Sequence, residues 1–530
     1  MPQTLTKQQL FNLLSERFET EDKKLSQIPN PALLKDGIKS AKRVADAIRT
    51  NEKIALVGDY DVDGVVSSAI MVDFFEQINY PLEVIIPNRF KDGYGVSVSV
   101  LDRLDATLVI TVDNGISAVE AGAVCKERGI DLIITDHHTP SKILPDAYSI
   151  VNPKLEDCEY PFKEICGAEV AWLFLALLKK ELQLNINMKS FLDILSIAII
   201  ADIMPLIDIN RTLVKEGLKL LLTSKRPASI IIKDILNKPS ISAEDIAFMI
   251  APRINSAGRL EDASLALDFF RAKDTHTAYL AFEKLISLNE LRKEIEADAT
   301  QEAISMVDDS ASCIVVAKEG WHEGVVGIIA SRLVDKFSKP AIVLSIENGV
   351  AKGSARSLGE VSIYKLIKEN EKFLNKFGGH TMAAGLGLDA KNIDDFRDAI
   401  NKSASMLDAK DFIPKDDVLG ILDVEDIDFE LLDMLERFEP YGEANKKPIF
   451  LIKDAEVVAI KTMGKDKSHS KITLRQHSYQ NKTVELIRFR EVVEMPDNKK
   501  LTCSYSVSKN IYNNRVSIQL LVDKITHSKC

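Results

Sequence analysis

The sequence predicts an α/β protein of several domains: a parallel-sheet domain, a second α/β domain joined to it by a long helix, and a C-terminal β-barrel. Three observations carry that expectation. Short continuous runs of β-branched and apolar residues alternate with helical patterns in the first half, as in strands buried on both faces of a parallel sheet. A charged stretch without Pro or Gly, Glu261 to Val307, separates this half from another strand–helix–strand pattern. Several short strand-like runs with polar turns then continue to the C-terminus. At 530 residues the chain is too long for one ordinary core.

Residues 1–50 read as a polar, helical lead-in. The first sheet begins at KIALVG (Lys53–Gly58) and continues through EVIIPN (Glu83–Asn88), TLVITV (Thr107–Val112) and DLIITD (Asp131–Asp136). GAEVAWLFLALLKKEL and SFLDILSIAIIAD read as buried helices, which places the first domain at 51–260. Residues 261–307 form a connector of one long helix or two. The second unit, 308–410, opens at SCIVVAK (Ser312–Lys318), passes through the helix GVVGIIASRLVDKF and returns as AIVLSI (Ala341–Ile346). The last module, 411–530, opens at the turn signal of FIPKDDVLG. PIFLIKDAEVVAIKTM, HSKITLRQ, NKTVELIRF, KKLTCSYSVSK and RVSIQLLVDKI are its strands.

Composition excludes several classes. The N-terminus has no apolar stretch of signal-peptide type and no apolar run is long enough to span a bilayer, so a soluble, cytoplasmic protein is expected. The six cysteines form no CxxC pair, which argues against a disulfide framework or zinc ribbon. Net charge is −11, which taken globally speaks against a nucleic-acid partner. The distribution says otherwise: from Tyr441 onward there are 17 Lys and Arg against 9 Asp and Glu. A basic tail module on an acidic body follows.

The aspartates fall in a pattern. KIALVG runs into Asp59-Tyr-Asp61-Val-Asp63-Gly64, TLVITV into Asp113-Asn114-Gly115, and DLIIT into Asp136-His137-His138. The carboxyl ends of strands are where open α/β sheets bind ligands, so these groups converge on one edge. The apolar helix SFLDILSIAII also ends in Asp202. Carboxylates gathered this way raise one another's pKa, and a fold keeps them only with a cation to neutralise them. Oxygen and imidazole donors without thiolate suit Mn²⁺, Mg²⁺ or Fe²⁺. A bridging carboxylate with several terminal ones suits two ions about 3.5–4 Å apart, the arrangement for in-line attack on phosphate. Taken singly, an Asp after a strand is an ordinary helix N-cap. A calcium loop fails because its twelfth position is Ile70, not Glu.

VGDYDVDG, VDNG, TDHH and ADIMPL, in that order, resemble the four motifs of the DHH phosphoesterase family. PNRFKDGYG and PRINSAGRL narrow the resemblance to its single-strand exonuclease branch, and EGWHEGVVGIIASRL, GSARS and FGGHTMAAG resemble a DHHA1 domain. The tail resembles that branch's oligonucleotide-binding (OB) barrel, departing from its G-x-G-N-P pattern at Ala444 and Lys446. The resemblance covers nearly everything from Glu52 onward. It implies metal ligands at Asp59, Asp61, Asp63, Asp113, His137 and Asp202 for two Mn²⁺ or Mg²⁺ ions, with Asp113 as bridge. Asp136 would orient its neighbours and His138 would act beside the scissile phosphate. GSARS reads as a strand-like segment with Ser354 and Arg356 two apart on one face, and with Arg89 they would hold a DNA 5′ phosphate, with His380 as a further donor. Arg253, Asn255 and Arg259 would line a passage between domains, too narrow for duplex.

The expected activity is 5′-to-3′ hydrolysis of single-stranded DNA in recombination and repair, by a monomer whose candidate partners are a single-strand-binding protein and a helicase. Another DHH hydrolase, acting on nano-RNA or nucleoside bisphosphates, would be shorter and lack the basic barrel. A non-catalytic strand binder on the same fold would have lost metal carboxylates. Trp321, Phe489, Tyr505 and Tyr512 are candidate base-stacking faces or core aromatics.

Overall fold

The computed structural model describes residues 3–18, 23–413, 417–464, 467–475, 483–489, 491–512 and 515–526. After helices α1 (Lys7–Ser15) and α2 (Gly37–Thr50), five strands form the first sheet. These are β1 (Ile54–Val57), β2 (Glu83–Ile85), β3 (Leu108–Val112), β4 (Asp131–Thr135) and β5 (Ser149–Val151). Their order is β2-β1-β3-β4-β5, with every pairing parallel. β1 and β3 are buried throughout, as continuous apolar runs predict. β2 is not: it is an edge strand with an exposed and half-buried pattern. Helices α3 (Val62–Gln77), α4 (Val98–Leu101), α5 (Val119–Arg128) and α6 (Gly167–Glu181) accompany the sheet, with α3 and α6 packed on β3. Helix α7 (Leu192–Ala201) is buried from Leu192 to Ile200 and ends at Asp202.

Helices α8 (Asp208–Thr223), α9 (Pro227–Leu236) and α10 (Ala243–Asp245) lead to a π-helical turn, Ile246–Ile250, that runs directly into α11 (Ala251–Leu260). The connector is two helices, α12 (Ser264–Arg271) and the 31-residue α13 (Thr275–Ser305). The break needs no Pro or Gly because Asp274 starts a new helix, its side chain accepting from the Thr277 N–H.

The second α/β unit holds β6 (Ile314–Glu319), α14 (Val326–Phe337), β7 (Ala341–Glu347), β8 (Val350–Arg356), α15 (Ile363–Glu369), β9 (Lys376–Gly379), β10 (Ala383–Asp389) and α16 (Ile393–Ala404). Its sheet order is β6-β7-β8-β10-β9, and only β6–β7 is parallel. The three antiparallel strands extend the strand–helix–strand unit read from sequence. The last module has β11 (Val418–Gly420), α17 (Phe429–Glu436), β12 (Ile449–Met463), β13 (His469–Arg475), β14 (Thr483–Arg488), β15 (Lys500–Tyr512) and β16 (Arg515–Thr526). A β12–β15 pairing closes the last five into a barrel. Its departure from the family turn sits at Ala444 (φ +59°), inside a Gly442–Asn445 turn closed by reciprocal backbone hydrogen bonds of 3.0 and 3.2 Å. The turn expected at Pro414–Asp416 lies outside the described residues.

The first 50 residues are not one lead-in. Leu10 and Leu14 of α1 are buried in the barrel core with Leu431 and Phe450, and Lys7 pairs with Asp428 at 2.6 Å. Helix α2 instead packs on α6 in the first domain. The barrel also returns to the first domain: Arg211 donates to the Phe438 carbonyl at 2.8 Å, the Leu206 N–H donates to Glu443 O at 2.8 Å, and Lys447 pairs with Glu244 at 3.2 Å. The chain thereby encircles a cleft of about 1540 Å³, lined from the end of α7, the π-turn, α11, α13, α14 and residues 441–449. No described helix is long and apolar enough to cross a membrane.

Candidate active site

The carboxyl ends of β1, β3 and β4 bring the predicted acids together. Asp61 caps α3, its Oδ1 accepting from the Gly64 N–H at 3.1 Å. The Asp63 carboxylate accepts from Gly167 N–H at 2.6 Å and Ala168 N–H at 2.9 Å, at the positive end of α6. Asp113 follows β3 in a left-handed conformation, φ +62°. Its neighbour Asn114 donates to the carbonyls of Val57 (3.0 Å) and Val112 (2.9 Å) and accepts from Val96 N–H (3.0 Å), tying three loops together. His137 Nε2 lies 3.2 Å from Asp113 Oδ1, 3.5 Å from Asp202 Oδ2 and 3.7 Å from Asp63 Oδ2.

Three groups of donor atoms lie within 4.8 Å of one another: Asp59–Asp61–Asp113, Asp63–His137–Asp202 and Asp113–His137–His138. Asp59 Oδ1, Asp113 Oδ1, Asp202 Oδ2 and both His137 ring nitrogens are buried without a hydrogen-bond partner. Buried polar atoms are ordinarily paired, so this concentration of orphans fits a cation site. Burial, then neighbouring carboxylates, pushes Asp59, Asp113 and Asp202 well above the usual carboxylate range. Burial likewise lowers His137 to about 4, leaving a neutral imidazole with a free lone pair.

Asp136 behaves differently. Its Oδ1 accepts from His137 N–H (2.7 Å), His138 N–H (3.0 Å) and His138 Nδ1 (2.8 Å), and its Oδ2 from Ile116 N–H (2.9 Å). With its lone pairs so engaged, it aims the two histidines. Burial acts to raise its pKa, but the His138 hydrogen bond and charge hold it below the usual value. Burial acts to lower His138, and the Asp136 pair lifts it to about 9.

The second predicted cluster faces this one across the domain interface. Arg356 Nη1 donates to Ser354 Oγ at 2.8 Å, both on β8. A Cβ on Gly327, near the start of α14, would lie 3.1 Å from both side chains, so that helix N-terminus opens on the same point. Arg259 Nη1 donates to the Gly324 carbonyl at 3.2 Å. Burial, then Arg89, Arg292 and Arg356, lowers Arg259 to about 10. Arg89 rests over the Tyr60 ring, 5.4 Å from its centroid. Among the described residues no carboxylate pairs with Arg89, Arg259 or Arg356, so the pocket suits an anion. His380 stands apart on an exposed turn, its Nε2 3.5 Å from Thr139 Oγ1. Asn255 Oδ1 accepts from the Val62 N–H at 3.2 Å, which ties α11 to the metal-site loop.

Sequence reasoning missed Tyr94 and Gly167. The Tyr94 hydroxyl donates to the Asp113 carbonyl at 3.2 Å and lies 3.5 Å from His138 Nε2. Its Gly-Tyr-Gly setting was the available signal. Gly167 packs against the Asp113 side chain, and nothing local announces it. Of the aromatic candidates, Trp321 is core, its Nε1 donating to Glu302 at 2.8 Å, and Tyr505 is fully buried. Phe489 is exposed, edge-on to His469, while the Tyr512 side chain lies outside the described residues.

The pKa directions give a metal-dependent stability. Carboxylates raised in the folded state, and His138 raised to about 9, contribute stability at low pH that is lost as pH rises through their folded values. The lowered His137 acts oppositely, but only between about 4 and the free imidazole value of about 6.5. In EDTA, Tm should therefore fall from pH 6.5 to 9. Mn²⁺ at about a hundredfold over its Kd should restore roughly 2.7 kcal/mol, or about 5–10 °C in the unfolding of a domain of about 200 residues such as the first. A thermal scan in which Mn²⁺ moves Tm at no pH would remove the cation site.

Known proteins share this architecture. Residues 53–199 match the DHH family, N-terminal domain, residues 310–406 the DHHA1 domain and residues 420–524 the RecJ OB domain. The single-stranded-DNA-specific exonuclease RecJ of Bacillus subtilis is 37% identical over 507 residues, which cover 93% of this chain and 64% of that protein. RecJ of Haemophilus influenzae is 30% identical, covering 95% of this chain and 93% of that one. The crystal structure of RecJ with Mn²⁺ from Thermus thermophilus superposes with a TM-score of 0.80 at 28% identity, over 95% of this chain and 74% of that one. A structure of exonuclease RecJ bound to manganese gives 0.63 at 32% identity, over 71% and 97%.

Proposed function

We propose that this chain, which belongs to the RecJ family of DHH phosphoesterases, removes nucleotides from the 5′ end of single-stranded DNA. One observation carries the reading. A buried acid–imidazole cluster with orphaned donor atoms stands across one domain interface from an arginine pocket that has no acid partner among the described residues. The first holds cations, the second a terminal phosphate, and a strand bridging them is cut a fixed step from its end. Asp59, Asp61 and Asp113 would hold one ion, and Asp63, His137 and Asp202 the other, with Asp113 shared. When bound, two Mn²⁺ or Mg²⁺ ions supply electrophilic stabilisation of the phosphoryl oxygens and neutralise the cluster.

The chain's own residues do the rest. Asp136 fixes both imidazoles, so that His138 presents Nε2–H as a donor toward a phosphate oxygen. Arg356 and Ser354, prealigned by their hydrogen bond, clamp the 5′ phosphate with the N-terminus of α14 behind them. The encircled cleft carries the rest of the strand. Its lining has eight Lys and Arg against four Asp and Glu, a positive channel in a chain of net charge −11. The barrel extends that track. The protein works in the cytoplasm as a monomer in recombination and repair, and a strand-supplying helicase and a single-strand-binding protein are the partners this substrate calls for.

The test is digestion of 5′-labelled and 3′-labelled strands in Mn²⁺. Label should leave first from the 5′ end, and blunt duplex should resist. Arg356→Ala should slow cutting of 5′-phosphorylated strands by about 10–100-fold, the loss of a charge-assisted contact of about 1.5–3 kcal/mol. It should leave 5′-hydroxyl strands little changed. Release from the 3′ end first, or equal loss on both substrates, would move the phosphate pocket elsewhere.

A further inference from the structure

Two large apolar side chains stand exposed in the cleft, whose other large apolar lining residues are buried or half-buried. Ile203 follows Asp202 directly, is 68% exposed, and holds a left-handed backbone, φ +56°. A β-branched residue in that region is a strained outlier, and such strain persists where the surrounding structure imposes it, often at ligand sites. Phe248 is 78% exposed, the most open phenylalanine among the described residues. It sits on the π-turn Ile246–Ile250, where one extra residue per turn re-aims the side chains. Its neighbours Ala247 and Met249 pack on the core, while Phe248 and Ile203 join no hydrophobic cluster. The π-turn packs on α7, the helix that ends beside Ile203, and both side chains line the same cleft.

We propose that Ile203 and Phe248 are the base-contacting pair of the cleft, gripping the nucleobases that follow the scissile phosphate. This rests on the strand-degrading reading above. Charge complementarity fixes the occupant. Arg253, Arg259 and Lys336 line the same cleft with no carboxylate paired to them among the described residues and suit phosphates, leaving the two exposed apolar groups for the faces of the bases. Aromatic stacking tolerates every base, so the pair grips without reading sequence. Paired bases inside a duplex offer no such faces, which adds a requirement for single strands beyond the width of the passage. Ile203, one residue from Asp202, ties the grip to the cut.

The experiment measures binding of a 3′-fluorescein 12-mer by anisotropy in EDTA, using strands with one abasic site at each of the first five positions. Wild type should bind strands abasic at one or two adjacent positions about 10-fold more weakly than the intact strand. Phe248→Ala should bind the intact strand about 10-fold more weakly and lose that penalty. Phe248→Leu should recover part of it. An abasic penalty undiminished in Phe248→Ala and in the Phe248→Ala/Ile203→Ala double variant overturns the proposal. So does a wild type indifferent to abasic sites. Degradation of the same strands in Mn²⁺ reports the nuclease reading separately. An abasic penalty without cutting sinks that reading and leaves the base grip standing, and cutting without a penalty does the reverse.

Discussion

Asp113→Asn is expected to reduce strand degradation by at least about 10³-fold while making the metal-free protein more stable. Asp113 belongs to two of the three donor groups and lies 3.2 Å from His137, a member of the remaining one. Its loss therefore weakens both cation positions together. Bound ions contribute several kcal/mol of transition-state stabilisation, and each 1.4 kcal/mol is a decade in rate. The stability effect has the opposite sign because Asp113 is buried among Asp63, Asp61, Asp59 and Asp202, which raise its pKa along with burial. A neutral amide removes that repulsion, and Asn tolerates the left-handed backbone at φ +62° as well as Asp does. Calorimetry with Mn²⁺ should find fewer than two ions, and Tm in EDTA should rise. Full activity in the variant would end the assignment, and a lower Tm in EDTA would show that Asp113 serves the fold.

The acids were legible because each follows a strand that was itself legible. β1, β3 and β4 are continuous apolar runs, and their ends could be placed on one edge from the residues alone. The same logic failed for β9 and β10, whose sequences KFGG and AAGLGLD are rich in Gly and Ala and poor in β-formers. Those strands are set by their neighbours in the sheet, not by propensity. The seating of α1 on the barrel joins segments about 420 residues apart, as Lys7 and Asp428 show, and no local pattern encodes it. The phosphate pocket was half legible. GSARS gave Ser354 and Arg356 on one strand face, but the burial of Arg259 against Gly324 depends on two domains meeting. No motif in the sequence singles out Ile203 or Phe248, and only their exposure sets them apart.

Gly167→Ala carries the second large effect and the least visible cause. A Cβ there would lie 2.5 Å from Asp113 Oδ1, 2.6 Å from its Cβ and 2.7 Å from its Cγ. The Gly167 N–H also donates to Asp63 Oδ2 at 2.6 Å, so the methyl enters where α6 meets both carboxylates. Asp113 is 1% exposed, which leaves its side chain no open space to retreat into, and its backbone N–H donates to the Thr135 carbonyl at 3.0 Å while its carbonyl accepts from the Tyr94 hydroxyl at 3.2 Å. Something must shift, and the two routes are a displaced Asp113 or a retreating α6 that releases Asp63. Displacing Asp113 disturbs the ligand that both positions share without removing its carboxylate, and releasing Asp63 disturbs one position. Metal affinity should fall by about 10–100-fold, the usual cost of disturbing the residues that orient ligands. The stability cost should stay within about 1–3 kcal/mol, because overpacking is offset by the better helix propensity of Ala. Activity should then be low at limiting Mn²⁺ and recover substantially at high Mn²⁺, where Asp113→Asn does not. Equal activity at all Mn²⁺ concentrations would mean that α6 moves freely, and the close approach of Gly167 to Asp113 would then have no functional role.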